Sequence, residues 1–243
     1  MKKLLTLLIL LTLFSTSCSK NDDPQLQSIN SIPKVKTIAY GSTNVSTFTY
    51  DSQGRILKQE ESDGSKVEYI YNANSVIENS FNSALTLTKT YSIELNTNGL
   101  IENATLIFPY NIDHRLEYTY NTDKQLAVLK STSGTNFNLN YNEEYKYTSK
   151  QLNNKKRYQL DGTLFQTTNY ECFTDENNSI GFKNRGLNYY ADVSEFPIKS
   201  EMIIFSATNS NTYFYDYNYD SKNRISKKII NSGNDGINDI TYY

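Results

Sequence analysis

Tyr213-Phe214-Tyr215-Asp216-Tyr217-Asn218-Tyr219-Asp220-Ser221-Lys222-Asn223-Arg224-Ile225 is the stretch that decides the fold class. Its four tyrosines stand two apart, with Asp216 and Asn218 on the alternate positions. A period of two puts successive side chains on opposite faces of a strand, whereas a helix would scatter the rings around its circumference. The alternation stops at Asp220, a residue type whose side-chain oxygen bonds backbone amides further along and so closes a turn. A new apolar position opens at Ile225. The segment reads as strand, turn, strand.

The second half of that stretch recurs. Tyr50-Asp51-Ser52-Gln53-Gly54-Arg55-Ile56, Tyr71-Asn72-Ala73-Asn74-Ser75-Val76-Ile77 and Tyr120-Asn121-Thr122-Asp123-Lys124-Gln125-Leu126 share the spelling Tyr, Asp or Asn, a polar run, then Ile or Leu. Leu95-Asn96-Thr97-Asn98-Gly99-Leu100-Ile101 and Tyr158-Gln159-Leu160-Asp161-Gly162-Thr163-Leu164 are weaker copies. Successive copies in the first half lie about 21 to 25 residues apart, the length of two strands and two turns, so one repeat is one hairpin with its link. Gly54 and Gly99, or Asn74 and Asn223, suit the left-handed conformation that closes such a loop. Asp63-Gly64, Asp161-Gly162, Asp235-Gly236 and Ser133-Gly134 mark the opposite bends.

Alternation between bends extends the strand reading. Val67, Tyr69 and Tyr71 oppose Glu68, and Leu116, Tyr118 and Tyr120 oppose Glu117 and Thr119. Tyr145 and Tyr147 oppose Glu144, Lys146 and Thr148. With 21 Tyr and 11 Phe but no Trp in 243 residues, the tyrosines read as ladders stacked across neighbouring hairpins. The longest face, Tyr213, Tyr215, Tyr217 and Tyr219, doubles as the candidate ligand-binding platform. The expected fold is all-β, an antiparallel meander of hairpins curled into an open or nearly closed sheet, with a two-sheet sandwich as the alternative. From Glu171 to Pro197 the alternation fails, and Leu187, Tyr190, Ala191 and Ser194 at helical spacing suggest one or two turns of helix. An aromatic insertion of this length is expected to plug an end of the sheet, or else to form a binding loop.

At the amino end, Lys2 and Lys3 precede an apolar run, Leu4 to Phe14, broken only by Thr6 and Thr12, in the order of a signal peptide. About 20 apolar residues are needed to cross a bilayer as a helix, so this run is expected to direct export. It ends in Ser15-Thr16-Ser17-Cys18, which resembles a bacterial lipobox. That resemblance implies removal of residues 1–17 and diacylglycerol on Cys18; an ordinary secretory signal with a plain thiol is the other reading. Ser19-Lys20-Asn21-Asp22-Asp23 resembles the acidic export tag of Bacteroidetes-type surface lipoproteins. Residues 18–35 then form a lipidated cysteine with a polar tether, and residues 36–243 one β domain. The Tyr-Asp units resemble the YD repeats of the RHS family, and with lipobox and tag the chain is similar to Bacteroidetes-type surface lipoproteins carrying degenerate YD repeats. In RHS proteins such repeats build a curved antiparallel sheet, which is what the resemblance implies here.

Composition narrows the chemistry. Lys and Arg number 24 against 26 Asp and Glu, a net charge of −2, so no cationic excess favours nucleic acid. One His and two Cys are too few for a structural zinc site. His114 and Cys172 read as packing residues rather than as a nucleophile and its base. Asn231 to Asp235 departs from a calcium loop, with Asn231 and Gly233 where oxygen-rich ligands are required and Tyr242 in place of the bidentate Glu. Glu60, Glu61, Glu117, Glu143 and Glu144 read as solvent-facing strand positions. No catalytic residue, metal or cofactor is assigned. The expected function is a non-catalytic binding or scaffold module on the outer membrane, at the cell surface or facing the periplasm, with the membrane bound through the lipid and a polysaccharide or envelope protein as partner. A structural part of an envelope complex and a glycoside-active enzyme are the alternatives.

Overall fold

The computed structural model describes residues 32–41, 43–109, 111–133, 141–174, 176, 178–191, 196–206, 208–231 and 236–242. The signal segment, Cys18 and the tether to residue 31 lie outside them, as do Gly134, Ser194 and residues 232–235 of the C-terminal bend. Ile32–Tyr243 is one compact unit.

Among the described residues the chain alternates strand and turn sixteen times over: β1 (Val35–Tyr40), β2 (Asn44–Tyr50), β3 (Ile56–Glu61), β4 (Lys66–Tyr71), β5 (Ser75–Phe81), β6 (Leu87–Leu95), β7 (Ile101–Phe108) and β8 (Asn111–Tyr120), then β9 (Leu126–Ser133), β10 (Tyr141–Thr148), β11 (Gln151–Gln159), β12 (Leu164–Cys172), β13 (Ile198–Ser206), β14 (Asn209–Tyr219), β15 (Ile225–Asn231) and β16 (Gly236–Tyr242). Each strand pairs antiparallel with its chain neighbours, and β1 also pairs with β16, Ile38 opposite Ile240. The sheet is therefore a closed barrel. This corrects the expectation of an open or nearly closed sheet, and of a sandwich. Closure leaves no strand with unpaired amides and carbonyls, which is its physical advantage over an open meander.

The Tyr-Asp/Asn units share one geometry. Asp51 Oδ1 accepts the amides of Gln53 and Arg55, each at 2.9 Å, and Asp220 Oδ1 accepts those of Lys222 and Arg224 at 2.9 and 3.0 Å. Asn96 and Asn121 do the same at their own turns. Left-handed residues close these four loops, Gly54, Gly99, Lys124 and Asn223, while Asn74 is not among the positive-φ residues. A bulge follows at every one, so that Tyr50 faces Ile56, Leu95 faces Ile101, Tyr120 faces Leu126 and Tyr219 faces Ile225. The tyrosine then fixes the end of the barrel. Tyr50, Tyr120 and Tyr242 donate their hydroxyls to the first carbonyls of β1, β7 and β15, on Val35, Ile101 and Ile225, at 2.6, 2.8 and 2.8 Å. These four turns, and the start of β1, all lie at one end of the barrel, called here the turn end.

The irregular segment runs from 173 to 197, because β12 continues through Cys172 and β13 starts at Ile198. It returns into the turn end as a plug. In place of the expected helix around Leu187 and Tyr190 there is a single 3-10 turn, Lys183–Arg185, stopped by Gly186 at φ 73°. Beyond it, Leu187 and Tyr189 are buried against Val35, Phe48, Ile56, Val76, Ile93 and Ile101. Side chains committed to several strands at once cannot also share one helical face, and that is why the spacing misleads.

Candidate functional site

The inner wall divides into a filled half and an open half. In the filled half the plug satisfies backbone groups exposed by the bulges. Ile56 N–H donates to Gly186 O at 3.4 Å, Ile101 N–H to Tyr189 O at 3.1 Å, and Ile225 N–H to Ser179 Oγ at 2.7 Å. Asn184 Nδ2 donates to Pro33 O at 3.0 Å, and the Tyr189 hydroxyl to Glu78 Oε1 at 2.7 Å. Burial pushes the Glu78 carboxyl above its usual range, and the hydroxyls of Tyr189 and Tyr190 only partly offset this.

The open half holds a cavity of about 840 Å³ against β7 to β12, reaching the rim opposite the turn end at the Leu160–Asp161 turn. Leu106, Phe108, Leu116 and Phe165 are among its apolar lining, with His114 edge-on to Phe108 at 6.3 Å between ring centres. Arg157 lines it too, its guanidinium 4.5 Å over the Tyr141 ring. Behind Arg157 lies Glu143, 3% exposed, which accepts Arg157 Nη2 at 2.6 Å and Nε at 2.8 Å, and the Tyr145 hydroxyl at 2.6 Å. Lys155 Nζ stands 3.6 Å from the same carboxylate. Burial alone would raise the Glu143 carboxyl, yet the Tyr145 hydroxyl, Lys155 and Arg157 together hold it below the usual carboxylate range. Two cations thus share one anion.

Glu143 corrects the sequence reading of a solvent-facing acid. It stands two residues from both Tyr141 and Tyr145 on β10, and period two puts all three on the inner face. The signal was present in the spacing. Tyr213, Tyr215, Tyr217 and Tyr219, the expected platform, also face inward. Tyr217 donates to Ile198 O at 2.9 Å, Tyr219 donates to Glu176, and Tyr215 packs under Lys228 Nζ at 4.3 Å. Phe214, on the alternate position, is the exposed ring of that strand. His114 and Cys172 are not brought together: one sits near the rim end of β8, the other at the turn end of β12. Among its described lining residues the large cavity carries one carboxylate, Asp161, where glycoside cleavage ordinarily requires two.

The outer wall mixes charged pairs with single exposed apolar side chains, Ile70, Ile107, Met202, Phe214 and Ile237 among them. Ion pairs join Lys58 to Glu60, Lys66 to Glu68, Arg115 to Glu117 and Lys227 to Asp239 at 2.8, 2.5, 3.8 and 3.5 Å, all on positions alternate to the inward tyrosines and aliphatics. Among the described residues no helix is long and apolar enough to cross a membrane.

No protein-family model matches the sequence, and no curated protein matches it. Solved structures do resemble the fold. A porin-like protein from Bacteroides uniformis ATCC 8492 superimposes with a TM-score of 0.60 at 10% identity, covering 87% of this chain and 96% of that one. A porin-like protein from Bacteroides vulgatus ATCC 8482 gives 0.59 at 9% identity, over 86% of this chain and 99% of that one. At such identities the likeness extends to the barrel fold alone.

Proposed function

We propose that the protein is a lipid-anchored envelope module that binds without catalysis, its barrel standing in water and held to the outer membrane through acylated Cys18. The observation that carries this reading is the charge spread over the outer wall. A membrane-spanning barrel turns an apolar band outward, and Arg or Lys at mid-bilayer costs it about 2 to 4 kcal/mol each. Here charged pairs occupy outward positions on β3, β4, β8, β15 and β16, while aromatic and aliphatic side chains fill the inside. Two acyl chains, at about 0.8 kcal/mol per buried methylene, would suffice to hold such a barrel at a bilayer surface. The shared hydrogen bonding of the four turns further supports reading the units as copies of one duplicated hairpin, in the manner of YD repeats.

Membrane fractionation of the wild type and of Cys18→Ala, the variant exported behind a signal peptide whose cleavage does not need the cysteine, tests this. The wild type is expected in the membrane fraction and labelled by an alkyne analogue of palmitate; the variant is expected unlabelled and released without detergent. Retention of the variant after an alkaline carbonate wash would show a barrel embedded in lipid and overturn the reading.

A structural role in an envelope assembly is the second reading, favoured by one feature. Exposed apolar side chains gather on the rim opposite the turn end, among them Leu85, Leu87, Leu160, Phe165 and Phe205. A stable partner recovered by cross-linking in the membrane, and lost when Phe165 and Phe205 are changed to Ser, would support it.

A further inference from the structure

We propose that the cavity of the open half binds a single-chain amphiphile with one negative charge, its head on Arg157 and its tail running out to the apolar rim. This rests on the reading of the barrel as a binding module in water and names its ligand class.

Three observations converge on that class. The cavity, at about 840 Å³, falls within the size of small-molecule sites and has a largely apolar lining that includes Leu106, Phe108, Leu116 and Phe165. Its one lining guanidinium belongs to a cluster in which Arg157 and Lys155 share the single carboxylate of Glu143, a local excess of one positive charge, while the lining carboxylate of Asp161 stands apart at the mouth. Glu143 engages Nε and Nη2 of Arg157, and a guanidinium has five donors, so among the described residues others stay available to a carboxylate or sulfate oxygen in the cavity.

The third observation sets the direction. Arg157 stands two residues in from the end of β11, whereas the rim carries the exposed side chains of Leu160 and Phe165 and the carboxylate of Asp161. Asp161 accepts the Thr163 amide at 2.8 Å, which keeps its carboxylate at the mouth, where it disfavours an anionic head. The head therefore belongs inside and the tail at the mouth, against the rim's apolar ring. A sugar could stack on its rings but would leave most of its hydroxyls without partners against the apolar side chains. A neutral alkane would leave the excess charge of Arg157 facing an apolar chain.

The barrel closes through β1 and β16, and its core lies wholly within Val35 to Tyr242, so residues 19–243 serve as the soluble protein for the test. Calorimetric titration with laurate, myristate and palmitate below their micellar concentrations is expected to show affinity rising roughly fourfold per added methylene until the chain outgrows the cavity. Methyl palmitate, with the same tail and no charge, is expected to bind at least tenfold more weakly than palmitate. Arg157→Gln is expected to remove that difference by weakening palmitate alone, and Leu106→Trp, which fills the cavity, to weaken both. Failure of palmitate to bind the wild type, equal affinity for acid and ester, or unaltered binding by the Leu106 variant would each overturn the proposal. If the Arg157 variant does not fold, the acid-to-ester ratio of the wild type and the Leu106 variant decide it. Failure here leaves the fractionation of the Cys18 variant untouched, so loss of the ligand class and loss of the binding-module reading are separate results.

Discussion

The amide of Ile101 donates to the carbonyl of Tyr189 at 3.1 Å, joining the first residue of β7 to a plug residue 88 positions later in the chain. Ile101 is fully buried, so without that acceptor its bulge-displaced N–H would be left dry and unpaired. The plug is thus a backbone partner of the barrel as well as an apolar filling. Tyr189→Phe keeps both the carbonyl and the ring and removes only the hydroxyl given to Glu78, so it isolates that hydrogen bond from these two roles.

Gly186 is where the plug approaches the wall most closely. Its φ is +73°, and a Cβ there would lie 2.6 Å from Ile56 N and 2.8 Å from Gly54 O, both backbone atoms that cannot swing aside. Gly186→Ala is expected to destabilise the barrel by about 2 to 4 kcal/mol, from left-handed strain and overpacking together. Urea unfolding measures it. A loss under about 0.5 kcal/mol would mean that the plug is not seated against β3.

Ser179 bridges two strands. Its Oγ accepts the Ile225 amide at 2.7 Å and shares a 2.8 Å hydrogen bond with the Tyr242 hydroxyl. Ser179→Ala leaves a buried amide without its acceptor and is expected to cost about 1 to 3 kcal/mol. Hydrogen exchange at Ile225 is the specific readout, with protection falling there more than at Ile101, whose acceptor is untouched.

Tyr50, Tyr120 and Tyr242 make the same phenol-to-carbonyl bond at three hairpins. Each Tyr→Phe change is expected to cost about 1 kcal/mol, and the three costs should add because the sites share no partner. A triple variant as stable as the wild type would show the hydroxyls to be solvated rather than structural.

Local chemistry made part of this legible. The strand-turn-strand reading of Tyr213 to Ile225 needed only the period of the tyrosines and the turn preference of Asp220, both decided within a few residues. Closure was not legible, because β1 and β16 meet across almost the whole chain and nothing in either strand names its partner. Two left-handed positions were hidden for a different reason, one of them inside the recognised Asn121 turn. The Asn82 loop uses Leu85 at φ 59° and the Asn121 loop uses Lys124 at φ 62°, residues without the glycine signature of a left-handed position. At the candidate site the spacing of Glu143 from Tyr141 and Tyr145 already put it on the tyrosine face, whereas Arg157 lay in a run of polar residues without alternation, and only its pairing opposite Glu143 shows that it faces inward.

Two interior carboxylates pull stability in opposite directions with pH. The folded state holds Glu143 below its ordinary value of 4.5, so its contribution is present above that pH and is lost as pH falls through the lowered value. Burial raises Glu78 above 4.5, so its contribution is full below that pH and is lost as pH rises through the raised value. Glu78→Gln keeps an oxygen for the Tyr189 hydroxyl and removes the charge that burial penalises. It is expected to gain on the wild type steadily from pH 4.5 toward 7 in urea unfolding. Glu143→Gln leaves Arg157 and Lys155 without their anion, so it is expected to be less stable at pH 7 and to converge on the wild type below pH 4.5. A Glu78 variant whose profile runs parallel to the wild type across that range would mean that its carboxylate is hydrated and does not sit against the plug.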